Sequence, residues 1–172
     1  MTGNRLHHVN LLAEYNRWMN EQLYGVCAQI PDQERKRDRG AFFRSIHGTF
    51  NHLLLVDRLW LGRLTGSPFA ITSLAQELCA DFDELRRERE LEDQRLADWV
   101  EELTEAELDR VVRYISAVDK QPRRFRVEDI LLHLFHHQTH HRGQITTLIS
   151  QLGYDFGETD LAFMPGMPVI QE

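Results

Sequence analysis

The stretch HLFHHQTHHRGQ, residues 133 to 144, holds five of the nine histidines in this 172-residue chain. Helix packing alone does not call for them. Histidine is a middling helix former, and a buried neutral imidazole brings a donor and an acceptor that both need partners. The spacing suits chelation instead: two imidazoles four residues apart on a helix stand about 5 to 6 Å apart at Cβ, within reach of one metal ion. Three pairs have this spacing, 133/137, 136/140 and 137/141.

A helix turns about 100° per residue, which places each side chain on a wheel. With His137 at zero, Ile130, Leu134, Ile145, Leu148 and Leu152 fall between about 20° and 80°. His141 lies within this apolar arc at about 40°, and His137 lies at its edge. His133, His140 and His136 turn away, to about −40°, −60° and −100°. The inward pair is therefore His137 and His141.

A third ligand must come from another helix, because one helix face cannot surround an ion. His52 lies beside Val56, Leu59 and Trp60 on the wheel of its own helix, whereas His47 points more than a quarter turn away. His52 is the better candidate, and His47, His7 and His8 are assigned to surface or boundary positions. Asp57 falls among apolar neighbours, where an unpaired carboxylate would be costly, so it is expected either to pair with an arginine or to orient an imidazole. Gln144 shares the ligand edge and could bond a ligand histidine or a substrate. Gly143 costs about 1 kcal/mol against alanine inside a helix, which a close helix crossing would explain. No residue stands out as a general base.

Other metal motifs fit less well. HQTHH has the two-histidine spacing of a zinc protease helix but carries Gln138 where that motif needs its glutamate base. The paired Glu-x-x-His elements of di-iron bundles are missing at the cluster. His52 and Asp57 have the HxxxxD spacing of an oxygen-carrying bundle, without its companion His-x-x-x-Glu. A mononuclear three-histidine site remains.

The elements that must position these residues are helices. Apolar residues at three- and four-residue steps predict a first helix over residues 5 to 30, stopped by Pro31. A polar connection leads to a second over 41 to 64. Ser73 and Gln76 form a capping-box pattern ahead of a third running to about Leu103. RVVRYISAV, DKQP and RRFRV suggest a short hairpin. The fourth helix covers 127 to 152, with Gly153 where a left-handed cap residue belongs, and the tail from Tyr154 is expected to pack irregularly over the bundle. The fold class is all-α, a four-helix bundle in one domain spanning 1–172. The second helix is apolar almost all round, with Phe43, Phe50, Leu54 and Leu61 opposite the face of His52, so both sides should be buried, by its own chain or by a partner.

A formal net charge of −7 argues against a general nucleic-acid binder. No apolar run approaches the roughly 20 residues needed to cross a bilayer, and MTGNRLHHVN lacks the apolar core of a signal peptide. A cytoplasmic protein without a membrane partner is expected. Cys27 and Cys79, far apart and on apolar helical patterns, are expected to be buried reduced thiols.

NHLLLVDRLWLGRL on the second helix and HLFHHQTHHRGQ on the fourth resemble signature segments of the DinB/YfiT-like family of metal-dependent enzymes, and TDLAFMP resembles that family's close. The resemblance covers essentially the whole chain. It implies an up-down-down-up bundle, a homodimer, and a divalent ion held by three histidines, which fall on His52, His137 and His141. It also implies transferase or isomerase chemistry that depends on small thiols such as bacillithiol or mycothiol.

Three neutral imidazoles leave an ion its double charge and at least one open position. Imidazole suits several metals; zinc or nickel is expected first and iron next. Such an ion can bring water to a pKa of about 7 or hold a thiol as thiolate. The expected function is that of a divalent-metal-dependent hydrolase or small-thiol-dependent transferase acting on a small molecule. The alternative is a non-catalytic, stress-induced metal-binding or interaction protein whose ion ties two helices together.

Overall fold

The computed structural model describes residues 4–167. In chain order these form α1 (Asn4–Cys27), a short α2 (Asp32–Lys36), α3 (Ile46–Thr65), α4 (Phe82–Glu101), a short α5 (Glu105–Leu108), β1 (Val111–Ile115), β2 (Pro122–Arg126) and α6 (Val127–Gln151), then a single 3-10 turn at Leu161–Phe163. The four long helices make the expected all-α four-helix bundle. Their directions follow from side-chain pairs. Arg5 meets Glu128 and Asn16 meets Arg142, so α1 and α6 run parallel. His52 lies against His141 and Trp60 against His133, so α3 opposes α6. Phe50 and Phe82 both pack on Tyr24, and Asp57 and Arg89, each seven residues further on, pair at 2.7 Å, so α3 and α4 run parallel in register. The order is up, down, down, up.

Two parallel neighbours need a long return connection, and residues 66–81 supply it. The third long helix consequently starts at Phe82, not at the expected Ser73. Gln76 N does bond Ser73 O at 3.3 Å, but the Gln76 side chain turns back to accept from Thr72, so the turn does not propagate. Asn51 Oδ1 then takes the amides of Leu78 (2.7 Å) and Cys79 (2.9 Å), holding this backbone against α3. The effective cap is Asp81, which accepts from Glu84 N at 2.8 Å. The start of α3 also differs from the expected residue 41. Arg44 adopts a left-handed φ of 70°, and Ser45 caps the helix by accepting from Gly48 N.

The predicted hairpin is present, pairing Val111 to Ile115 with Arg126 to Pro122. Gly153 has a φ of 82° just beyond α6, as its position suggested. The tail lies along α1, where Tyr15 Oη donates to Thr159 O and Gln22 Nε2 to Glu158 O. The last residues of that tail, 168–172, lie outside the described residues.

The core has two apolar parts. One gathers Val9, Leu55, Trp60, Val100, Ile130 and Leu134; the other Leu23, Phe50, Leu54, Phe82, Leu85 and Ile149. Between them lies a buried polar layer supplied by all four long helices: Asn16 and Asn20, Asp57, Arg89 and Asp93, Gln138 and Arg142. Asp57 accepts from Arg89 and Gln138, while Asp93 pairs with Arg89 at 3.0 Å and accepts from Asn20 at 3.0 Å. The apolar back of α3 is covered by this same chain, since Phe50, Leu54 and Leu61 sit within its core. Its two-sided apolarity therefore requires no partner.

Candidate metal centre

His52 comes from the middle of α3, and His137 and His141 from successive turns of α6. Because these helices are antiparallel neighbours, the three rings meet. One potential ligand nitrogen from each lies within 4.8 Å of the others, and the ring centroids are 4.5 to 5.0 Å apart. His52 Nε2 and His137 Nε2 are 3.1 Å apart. Nitrogens each about 2 Å from one ion are roughly 3 to 4 Å apart, so the set lies close to the spacing of a single-ion site and would have to draw in slightly around an ion.

The outer nitrogens determine which way the lone pairs point. His52 Nδ1 donates to the carbonyl of Leu74 at 2.8 Å, which leaves Nε2 unprotonated toward the cluster. His141 Nδ1 donates to Gln144 Oε1 at 2.8 Å, with the same result, and the Gln144 amide is itself held by donating to His140. His137 Nδ1 is buried and has no partner among the described residues. Burial, aided by the neighbouring imidazoles, pushes the pKa of His137 down to about 3. Burial likewise brings His52 down to about 4, against the opposing pull of the Leu74 carbonyl. His141 is lowered for the same first reason. All three are thus held in the neutral, ligating form.

Phe43 covers the cluster. Its ring stacks on His52 at 3.6 Å between centroids and meets His141 edge-on at 5.4 Å. The wheel had placed Phe43 on the far side of α3, but residues 41–45 are a tight turn and not helix, which swings it back over the imidazoles. On the other side a cavity of about 230 Å³ reaches His52 and His137. Its walls include Val56, Leu59, Trp60, Tyr114 and His133.

The remaining candidates divide. Gln144 orients a ligand histidine. Asp57 does not; it is buried against Arg89 and Gln138 in the polar layer. His136 and His140 are exposed, as are His7 and His8. His47 is buried, contrary to expectation, with Nε2 bonded to the Cys79 carbonyl at 2.9 Å, so it anchors the crossover. Gly143 has open space where a Cβ would stand, so no close helix crossing accounts for it. Cys27 and Cys79 are free and buried, and burial pushes the Cys27 thiol up to about 12. The Leu74 carbonyl left no trace in the side-chain pattern. His133 is exposed, as its place off the apolar arc suggested, with its ring against Trp60 at 5.2 Å at the cavity wall.

A family model described as the DinB family matches residues 4–168. Protein DinB of Bacillus subtilis (strain 168) is 26% identical over 164 residues, covering 87% of this chain and 88% of that protein. Among solved structures, a DinB-like protein from Bacillus cereus ATCC 10987 superposes with a TM-score of 0.62 at 14% identity, covering 82% of this chain and 90% of that one. YfiT from Bacillus subtilis, described as a probable metal-dependent hydrolase with an unusual four-helix bundle topology, gives 0.61 at 15% identity, covering 90% and 91%. At these identities the two structures speak for the fold.

Proposed function

The chain belongs to the DinB family, and from that footing we propose that it is a divalent-metal-dependent enzyme acting on a small molecule at a mononuclear site held by His52, His137 and His141. One observation carries the reading: three neutral imidazoles converge beside a cavity to which two of them contribute walls. An ion serving only to tie α3 to α6 needs no such opening, which favours the enzyme over the purely structural alternative. A bound divalent ion supplies a Lewis acid able to ionise water near neutral pH or to hold a thiol as thiolate.

The chain's own residues do the rest. Leu74 and Gln144 hold two ligand rings in the correct tautomer, and Phe43 screens the cluster from one side. Val56, Leu59 and Trp60 keep the cavity apolar, which strengthens the attraction between a bound cation and any negative charge developed beside it. His133 is exposed at the edge of that wall, where partial desolvation lowers its pKa, and as a neutral ring at pH 7 it offers a nitrogen that can accept a proton. Hydrolysis agrees with the description of YfiT; transfer of a small thiol would use the same site.

Metal content and turnover of an electrophilic model ester, with and without a low-molecular-weight thiol, test this. His52→Ala, His137→Ala and His141→Ala should each abolish tight zinc or nickel binding. His136→Ala should retain the metal, and His47→Ala should retain it while losing about 0.5–1.5 kcal/mol of stability with its hydrogen bond to the Cys79 carbonyl, which keeps Asn51 as a donor. Chelation should remove the turnover. Loss of metal from His136→Ala would show the ligand set to be wrong, and turnover that survives both chelation and His141→Ala would remove the enzymatic reading.

A further inference from the structure

The cavity beside the histidines has one cationic residue in an otherwise largely apolar and aromatic wall. His52, Val56, Leu59 and Arg63 follow one another at three- and four-residue steps along α3, with Trp60 beside Leu59 and three residues before Arg63, so they share a face, and all five line this cavity. Side chains on a helix lean toward its N-terminus, so Arg63 turns back along the face toward His52. Its guanidinium carbon lies 4.6 Å from the centroid of Trp60 and 4.1 Å from that of Tyr114. Those two rings meet edge to face at 5.2 Å. The guanidinium is therefore held in place by α3 on one side and the hairpin on the other.

What it lacks is an anion. Arg58 and Arg89 of the same bundle hold carboxylates. Among the described residues the acceptor for Arg63 is the Ile115 carbonyl, 3.4 Å from Nη2, and no carboxylate pairs with it. Asp129, on the adjoining cavity wall, is engaged by Arg126 at 3.4 Å. Half-burial without a counter-ion is costly for a cation, and burial accordingly holds Arg63 below the usual arginine range. A guanidinium pre-set between two rings, with free N–H groups, is suited to planar recognition of oxyanions.

We propose that Arg63 anchors an anionic oxygen group, a carboxylate or phosphate, at one end of a small ligand whose apolar or aromatic body lies along Val56, Leu59 and Trp60 and whose other end reaches His52 and His137. This rests on the cavity being the substrate site. At about 230 Å³ the cavity has room for a small ligand of this kind.

Calorimetric titration tests the proposal on both zinc-loaded and metal-free protein, with three probes of matched shape: 3-phenylpropanoate, 2-phenylethylphosphonate and the neutral 3-phenylpropanamide. At least one anion should bind about tenfold or more tightly than the amide. The preference should persist without metal, where no ion can attract the probe. It should be lost in Arg63→Met and partly kept in Arg63→Lys, and the better of the two anions identifies the group. A role in packing alone would shift melting temperature without moving this selectivity. Equal binding of the three probes, no binding of any at millimolar concentration, or an anion preference that survives Arg63→Met would overturn the proposal. Zinc binding without anion preference would defeat this inference alone, whereas anion preference without zinc binding would defeat only the metal reading.

Discussion

At the scale of single residues, the site depends on imidazoles that do not take up protons easily. An unperturbed histidine near pH 6.5 competes for protons in the range where most enzymes work. Burial lowers His52 to about 4 and His137 to about 3, so the neutral ligating form persists well below that range. The sign follows directly. Depressed values mean that protons displace metal only as the pH falls toward the folded-state pKa, and affinity is fully present above it. Apparent zinc affinity should therefore stay level from pH 8 down to the ordinary histidine value near 6.5, begin to decline only below it as His141 takes up a proton, and be lost as the pH approaches the values of His52 and His137. A decline already under way above 6.5, followed by isothermal titration, would show that the imidazoles are not desolvated as described. Gln144→Ala should leave the ion in place but weaken it about 10- to 100-fold, because His141 would lose the acceptor that fixes its tautomer.

At the scale of elements, the entry to α3 does as much for the site as the helix itself. Gly48 stands in the first turn, where a Cβ would lie 2.3 Å from the Phe43 carbonyl. Only a residue without a side chain lets the 41–45 turn fold back closely enough for Phe43 to stack on His52. Gly48→Ala should cost about 1–3 kcal/mol through overpacking and should also weaken metal binding, since the turn must move. Phe43→Ala removes the stack without the clash, so metal affinity should fall while denaturant stability changes less. If both variants bind zinc like the parent protein, the turn has no part in the centre. The crossover between α3 and α4 plays the matching role on the other side, with its Leu74 carbonyl fixing the His52 ring.

At the scale of the whole molecule, the buried polar layer fixes how the helices sit along one another. Asn16, Asp57, Arg89, Asp93, Gln138 and Arg142 have partners only when all four long helices are in one axial register. That register is also the one that brings His52 level with His137 and His141. Breaking a buried pair leaves charges unmatched, so Arg89→Met should cost about 3–5 kcal/mol in urea unfolding. A loss within 0.5 kcal/mol would mean the layer is not closed off from water. The homodimer implied by the family resemblance is a proposal that α3 no longer supports, because the chain covers that helix itself. Surface side chains such as Phe42 and Phe163 are what such an assembly has available, and light scattering at micromolar concentration should give twice the chain's 20.3 kDa.

Periodicity was enough to recover the four long helices, the hairpin and the inward pair of histidines. Hydrophobic burial selects one face of each helix, and that selection is written in the order of residues along it. His52 was legible for the same reason. What the order of residues did not contain was every contact made by backbone or across helices. The Leu74 carbonyl carries no side-chain signature, Phe43 depends on the left-handed turn at Arg44, and the apolar neighbours of Asp57 showed that it needs a partner without distinguishing an imidazole from the arginine, Arg89, that holds it. The capping box at Ser73 failed because α3 claims the crossover backbone through Asn51, a tertiary demand that outweighs a local preference. Local sequence constrains each helix by its own solvent-facing and core-facing sides, whereas the centre exists only where separate helices converge, and there packing and hydrogen bonding between distant segments select the geometry.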